Sequence, residues 1–303
     1  MFQRISYKSK RDLNSMGIRF VTDSGSDIDL NYADEIGVKV VPLSVTFSDA
    51  ADVEHKEDSS FDLESYYNKY TSVEDFFAKT AQPSPNAFFE AYESLVDEGT
   101  KEIIVVTLSS GLSGTINSAR LGANMLKKKD DSIKIHLVDA LNASYSEVLL
   151  IEKGIELREQ GKSGEEISKL LREHTKNIKT YILLPSLIYL RKGGRISVTK
   201  YILGRLLRKR PITVVNSEGK NDVATTVTET EEGIHKILEL TTEKFNRFPK
   251  QVVIIHGNSP ERADLMEAAV KKYIKGAKIT KRCTGVTISA HTGPDVVALI
   301  SEF

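Results

Sequence analysis

The chain has 303 residues, 40% hydrophobic and 28% charged, with 42 basic and 42 acidic side chains. That length suits two packed domains burying roughly three quarters of the unfolded surface, and the balanced charge gives no global pull toward nucleic acid or a membrane. One cysteine, Cys283, excludes an internal disulfide and a cysteine-based zinc cluster and suits a reducing cytoplasm, and no apolar run approaches the ~18 residues of a spanning helix.

The first seventeen residues, MFQRISYKSKRDLNSMG, are basic and polar and lack the apolar stretch of a secretory signal, so they read as an N-terminal extension. Strand-like and helix-like runs then alternate, the signature of βαβ units and a parallel sheet. IRFVT (18–22) has a buried-strand pattern and empties into the polar turn Asp23-Ser24-Gly25-Ser26-Asp27. VKVVPLSVTF (38–47) is a second strand region in which Pro42 marks an edge or a bend. A polar loop over 48–61 leads to two short amphipathic helices around Tyr66 and Phe76. Ser84 followed by Pro85 is a helix start.

A strand over 102–108, a helix over 114–128, a strand over 133–138 and a helix over 144–160 complete the first half. Gly161-Lys162-Ser163-Gly164 punctuates the chain, and the helix EEISKLLREHTKN bridges to a less regular second unit. There PITVVNSEGKNDVATTVT (211–228) reads as a hairpin turned at Ser217-Glu218-Gly219. Helices follow near 229–247 and 260–275, with a closing helix after Gly293-Pro294.

The stretch VVTLSSGLSGTINSA (105–119) is an apolar strand emptying into a serine- and glycine-rich loop that opens a helix. A nucleophile elbow needs G-x-S-x-G, and Gly111-Leu112-Ser113-Gly114 has other spacing. A Walker loop ends in GKS or GKT, and this one ends in Gly114-Thr115. Two readings stay open: an anion held by free N–H groups and hydroxyls, or a tight turn with a helix cap and no ligand. Asp23 caps a helix or holds a metal, and one isolated Asp favours the cap. Thr80-Ala81-Gln82-Pro83 supplies a hydroxyl and an amide ahead of the next helix.

Residues 191–210, RKGGRISVTKYILGRLLRKR, carry eight positive charges and no acid. Gly193-Gly194 lets the backbone bend so that Arg195 turns inward while Lys192 stays in water. The segment reads as a solvated face with snorkelling stems, an anion grip, a docking face for an acidic partner, or a nucleic-acid contact. Few aromatics interleave it, which opposes single-strand stacking. Among six histidines His291 stands apart: it follows the strand-like GVTIS and precedes a turn opening the last helix. A helix N-terminus lowers an imidazole pKa and leaves a neutral hydrogen-bonding ring.

As a set, VTDSGSD (21–27), VVPLSVTF (40–47), TAQPSP (80–85), TLSSGLSGTINSA (107–119), LVDALNAS (137–144), YLRKGGRIS (189–197), KRPI (209–212) and AHTGPDVVAL (290–299) resemble the DegV family of bacterial fatty-acid-binding proteins. They occur in the family's order and cover almost everything after Gly17. The resemblance implies an α/β fold in two domains: a three-layer α/β/α domain with a parallel sheet over 18–172, and a two-layer domain with a mixed sheet over 173–303. It also implies a long-chain fatty acid in an internal tunnel, its carboxylate presented to a separate ATP-dependent fatty acid kinase subunit. No other cofactor, metal, nucleic acid or stable membrane insertion is implied.

Carried onto this chain, the carboxylate-gripping groups are Thr80, Ser109, Ser110, Arg195 and His291, with Asp23, Ser24, Gln82, Gly111 and Arg191 as supports. Ala81 stands where the family usually has a serine, and Tyr145 and Glu147 depart from the usual start of their helix and are expected to narrow or repolarise that wall. Two rival readings are a serine hydrolase or acyltransferase built on the 107–115 loop with His291 as base, and a nucleic-acid or regulatory module built on 191–210.

Overall fold

The computed structural model describes residues 17–196, 209–245 and 247–303. Strands β1 (Ile18–Asp23), β2 (Val38–Val41), β6 (Glu102–Thr107) and β7 (Lys134–Asp139) form a parallel sheet in the order β2-β1-β6-β7. The central strands β1 and β6 are buried on both faces and read as nearly continuous apolar runs rather than alternating ones. Phe20, Ile104 and Val106 face the helices Ser146–Glu159 and Gly164–His174. Val21, Ile103 and Val105 face the helices Pro85–Asp97 and Thr115–Lys129. These are the three layers expected.

A six-stranded mixed sheet follows in the order β10-β9-β8-β13-β11-β12. Its strands are β8 (Ile178–Leu183), β9 (Arg210–Val215), β10 (Asn221–Val227), β11 (Gln251–His256), β12 (Lys278–Cys283) and β13 (Val297–Glu302). Only β11 and β12 run parallel; the other neighbours are antiparallel. Helices Thr230–Phe245 and Pro260–Tyr273 cover one face. The other packs Val253, Ile255, Ala298 and Ile300 against the helix Ser146–Glu159. That helix is therefore enclosed between the two sheets, which explains why Val148, Leu149, Leu150 and Ile151 are all buried instead of lining one stripe.

Five expectations are corrected. The run 38–47 is two strands of different sheets, because Pro42 separates β2 from β3 (Ser44–Phe47). The polar loop 48–61 contains β4 (Ala50–Lys56), and the segment after Phe76 is not a helix but β5 (Ala78–Ala81). These make a small antiparallel sheet, β4-β3-β5. The strand-like GVTIS is a helix, Val286–Thr292, and the chain ends in β13 rather than in a helix. Val286 and Ala290, one turn apart, pack into the apolar cluster of Val45, Phe47, Tyr66 and Phe76.

In the parallel sheet, β1 leads outward to β2 while β6 and β7 lie on the other side, so the order reverses between β1 and β6. Open α/β sheets bind ligands outside the strand ends at such a point. Asp23 spans it, accepting from Gly25 N at 2.9 Å and Leu108 N at 3.0 Å.

Candidate functional site

A cavity lies between the strand-end loops of the parallel sheet and the inner face of the mixed sheet. Leu108, Leu112, Ile182, Ile255, Val296 and Ile300 give it an apolar wall. Thr80, Ser113, Arg195 and His291 bring polar groups to the same space.

Thr80 enters from β5, and its Oγ1 lies 2.8 Å from His291 Nε2. His291 occupies the last turn of the helix Val286–Thr292, not a helix N-terminus. Burial first, and the Arg195 charge second, push its pKa down to about 4, so the ring is neutral at physiological pH. Its Nδ1 is buried without a hydrogen-bond partner and faces Gly193, where an added Cβ would stand 2.1 Å away. An orphaned N–H is costlier to bury than an unused lone pair, so the proton belongs on Nε2 and is donated to Thr80. The Thr80 hydroxyl proton is thereby free for a second acceptor.

Arg195 follows the Gly193-Gly194 turn, in which Gly194 takes φ +74°. Its Nε donates to Leu112 O at 3.0 Å and its Nη1 to Gly193 O. The guanidinium is thus fastened between the loop bearing Ser113 and the turn bearing Gly193. Ser113 Oγ shares a 2.9 Å hydrogen bond with Thr115 Oγ1 and lines the cavity.

The other expected residues lie elsewhere. Ser109 is wholly buried; its Oγ donates to Gly219 O at 2.8 Å and accepts from Gly111 N at 3.0 Å, which ties the loop to the 216–220 turn. Ser110 is exposed, with its N–H on the Asp139 carboxylate at 3.2 Å. Gly111 packs on the carbonyls of Glu218 and Gly219. Ser24 Oγ accepts from Leu43 N at 2.9 Å, and Gln82 Nε2 donates to Ser118 Oγ at 2.9 Å. Arg191 is exposed on the short helix Ile188–Lys192. None of these six, nor Asp23, lines the cavity. Among the described residues no serine of the loop is hydrogen-bonded to His291, which opposes a serine–histidine nucleophile. Most of the basic segment, 197–208, lies outside the described residues.

The family model described as "Uncharacterised protein, DegV family" matches residues 17–303. The chain belongs to the DegV family. A DegV domain-containing protein of Staphylococcus aureus strain N315 is 31% identical over 281 residues, covering 92% of this chain and 96% of its own. The solved structure of DegV, a fatty acid binding protein from Bacillus subtilis, is 26% identical with a TM-score of 0.82, over 95% of this chain and 99% of that one. The Streptococcus pneumoniae fatty acid kinase B3 protein, solved with linoleic acid, shares the fold at TM-score 0.81 with 23% identity, over 94% of this chain and 99% of its own.

In this DegV protein the helix bearing His291 is held from its start by two acids of the first half. Asp27 Oδ1 accepts from Gly285 N at 2.7 Å, and Glu57 Oε1 from Thr287 N at 3.1 Å. Burial, opposed by hydrogen bonds, raises Asp27 to about 6; burial and then the Asp27 charge raise Glu57 to about 7. Burial and then Asp23 push Glu147 well up, and its Oε2 accepts from Thr22 at 3.2 Å. Glu147 and Tyr145 sit behind the cavity rather than on its wall, a correction to the narrowing expected from them. Among the described residues no three His, Cys, Asp or Glu side chains group as metal ligands, and no helix is long and apolar enough to cross a membrane.

Sequence reasoning missed Ser113 as a lining residue, along with Asn142, Thr180 and Asn221. Ser113 was legible as one of three loop serines, and only the course of the loop selects it. Asn142 lies within the LVDALNAS stretch already singled out, and nothing in the local sequence marks Thr180 or Asn221.

Proposed function

We propose that the protein binds a long-chain fatty acid in this cavity, its carboxylate held by Thr80, Ser113 and Arg195 with His291 orienting the Thr80 hydroxyl, and presents it to a separate ATP-dependent kinase subunit in the cytoplasm. One observation carries the reading: a neutral histidine, a free hydroxyl proton and a fastened arginine meet in a cavity with a broad apolar wall. Burying a carboxylate requires donors around it, and these residues supply them without a base positioned to attack. Each buried methylene contributes about 0.8 kcal/mol. About fourteen give roughly 11 kcal/mol before association and ordering costs. The tail would supply affinity and the polar groups orientation. The fatty acids named for the Bacillus and Streptococcus relatives support the ligand class, and the kinase name of the latter supports the partner.

The test is mass spectrometry of lipid extracted from denatured protein after gentle purification from a bacterial host. Stoichiometric long-chain acid is expected. A clean absence, with no uptake of added acid, overturns the proposal.

A further inference from the structure

Asn221 begins β10 opposite Val215 of β9. The antiparallel register that pairs Tyr181 with Val214 sets Thr180 opposite Val215 in turn, and Thr180 faces Ile300. Asn221, Val215, Thr180 and Ile300 therefore form one row on the same face of the sheet, and all four line the cavity. Asn221 is only 8% exposed. Its Nδ2 donates to Arg195 O at 3.3 Å, which orients the amide, because flipping it would set carbonyl against carbonyl. Its Oδ1 is left buried with no partner. Thr180 differs: its hydroxyl is already committed to Asn142 Oδ1 at 2.9 Å.

A buried acceptor without a donor is destabilising, and such groups in native proteins ordinarily find a partner. A plain fatty acid has none to give: its carboxylate accepts and its methylenes do neither. An acyl chain that carries a hydroxyl supplies the missing donor. Asn221 hangs on the backbone carbonyl of Arg195, the residue whose guanidinium is assigned to the carboxylate, and both residues line the same cavity.

Resting on the fatty-acid reading above, we propose that Asn221 is a specificity residue that accepts a hydrogen bond from a hydroxyl near the carboxyl end of the acyl chain, so that 2- or 3-hydroxy fatty acids are the preferred ligand class. A hydroxyl far down the tail lies out of its reach.

The experiment is displacement of a fluorescent long-chain acid from the full-length protein. The competitors are hexadecanoic acid, 3-hydroxyhexadecanoic acid and 12-hydroxyoctadecanoic acid. One buried hydrogen bond of about 1–1.5 kcal/mol predicts that the 3-hydroxy acid displaces at about tenfold lower concentration than hexadecanoic acid, with no such gain for the 12-hydroxy acid. Asn221→Leu should bring the first two competitors together. Equal displacement by both in the unmodified protein, or a preference that survives in Asn221→Leu, overturns the assignment and leaves the amide to water. The preference is read in the unmodified protein, so a misfolded variant does not remove the test. Failure of every acid to displace is a different result: it removes the fatty-acid reading itself, and this inference with it.

Discussion

Thr80 Oγ1 and His291 Nε2 meet at 2.8 Å across 211 residues of sequence, joining a strand of the small antiparallel sheet to the last turn of a helix from the other half of the chain. The contact leaves one proton, on Thr80, for a ligand. Thr80→Val is therefore expected to reduce co-purifying acid to under a tenth of the normal load, while Thr80→Ser retains most of it. Lipid-to-protein ratio by mass spectrometry checks both, and a full load in Thr80→Val would take Thr80 out of the grip.

Gly193 has an ordinary backbone, with φ −76° and ψ −13°, so its need for glycine is steric. A Cβ there would stand 2.1 Å from His291 Nδ1. Gly193→Ala should displace the imidazole, lower stability by about 1–3 kcal/mol as overpacking does, and abolish acyl retention. Chemical denaturation and lipid extraction measure the two effects separately.

Ser109 and Ser113 should part company. Ser109→Ala leaves Gly219 O without its donor and Gly111 N without its acceptor, a loss of about 1–3 kcal/mol in stability, with acid still bound. Ser113→Ala should keep its melting temperature and lose acid. The reverse pattern would return the carboxylate to Ser109.

Glu57 tests the sign of the buried acids. Its folded pKa, about 7, lies above the ordinary 4.5. Its contribution is therefore fully present below pH 4.5 and is lost as pH rises through about 7. Glu57→Gln retains an acceptor for Thr287 N and removes the ionisation. It should raise the melting temperature at pH 8, by roughly 1–3 kcal/mol equivalent, and lose that advantage toward pH 5. Thermal scans across that range decide the point.

His291 titrates in the opposite sense. With its folded pKa depressed to about 4 from 6.5, its stabilisation is complete above pH 6.5 and declines as pH falls toward 4. NMR of the imidazole ring should show no protonation midpoint above pH 5. A midpoint near 6.5 would mean the ring is neither buried nor beside Arg195.

Much of the scaffold was legible because its signals are local. The runs at β1 and β6 are buried on both faces, as a covered parallel sheet demands, and Ser84-Pro85 opens a helix as its chemistry dictates. The residues 286–288, Val-Thr-Ile, favour a strand by β-branching, yet they are helical. Asp27 and Glu57, far back in the chain, accept from the first N–H groups of that helix, and aromatic residues of the first half of the chain bury Val286 and Ala290. Packing overrode propensity there.

The sequence alone determined a two-domain α/β protein of the DegV type, and it singled out Thr80, Arg195 and His291 as residues worth bringing together. Only the tertiary structure decided that Ser113 rather than Ser109 faces the cavity, that His291 is neutral through burial and not through a helix N-terminus, and that Asn221 holds an unpaired oxygen inside. The reason is physical. Strand and helix patterns repeat over a few residues and can be read from them, whereas which hydroxyl faces a cavity, and which buried atom lacks a partner, depends on chain segments that meet only when the whole molecule has folded.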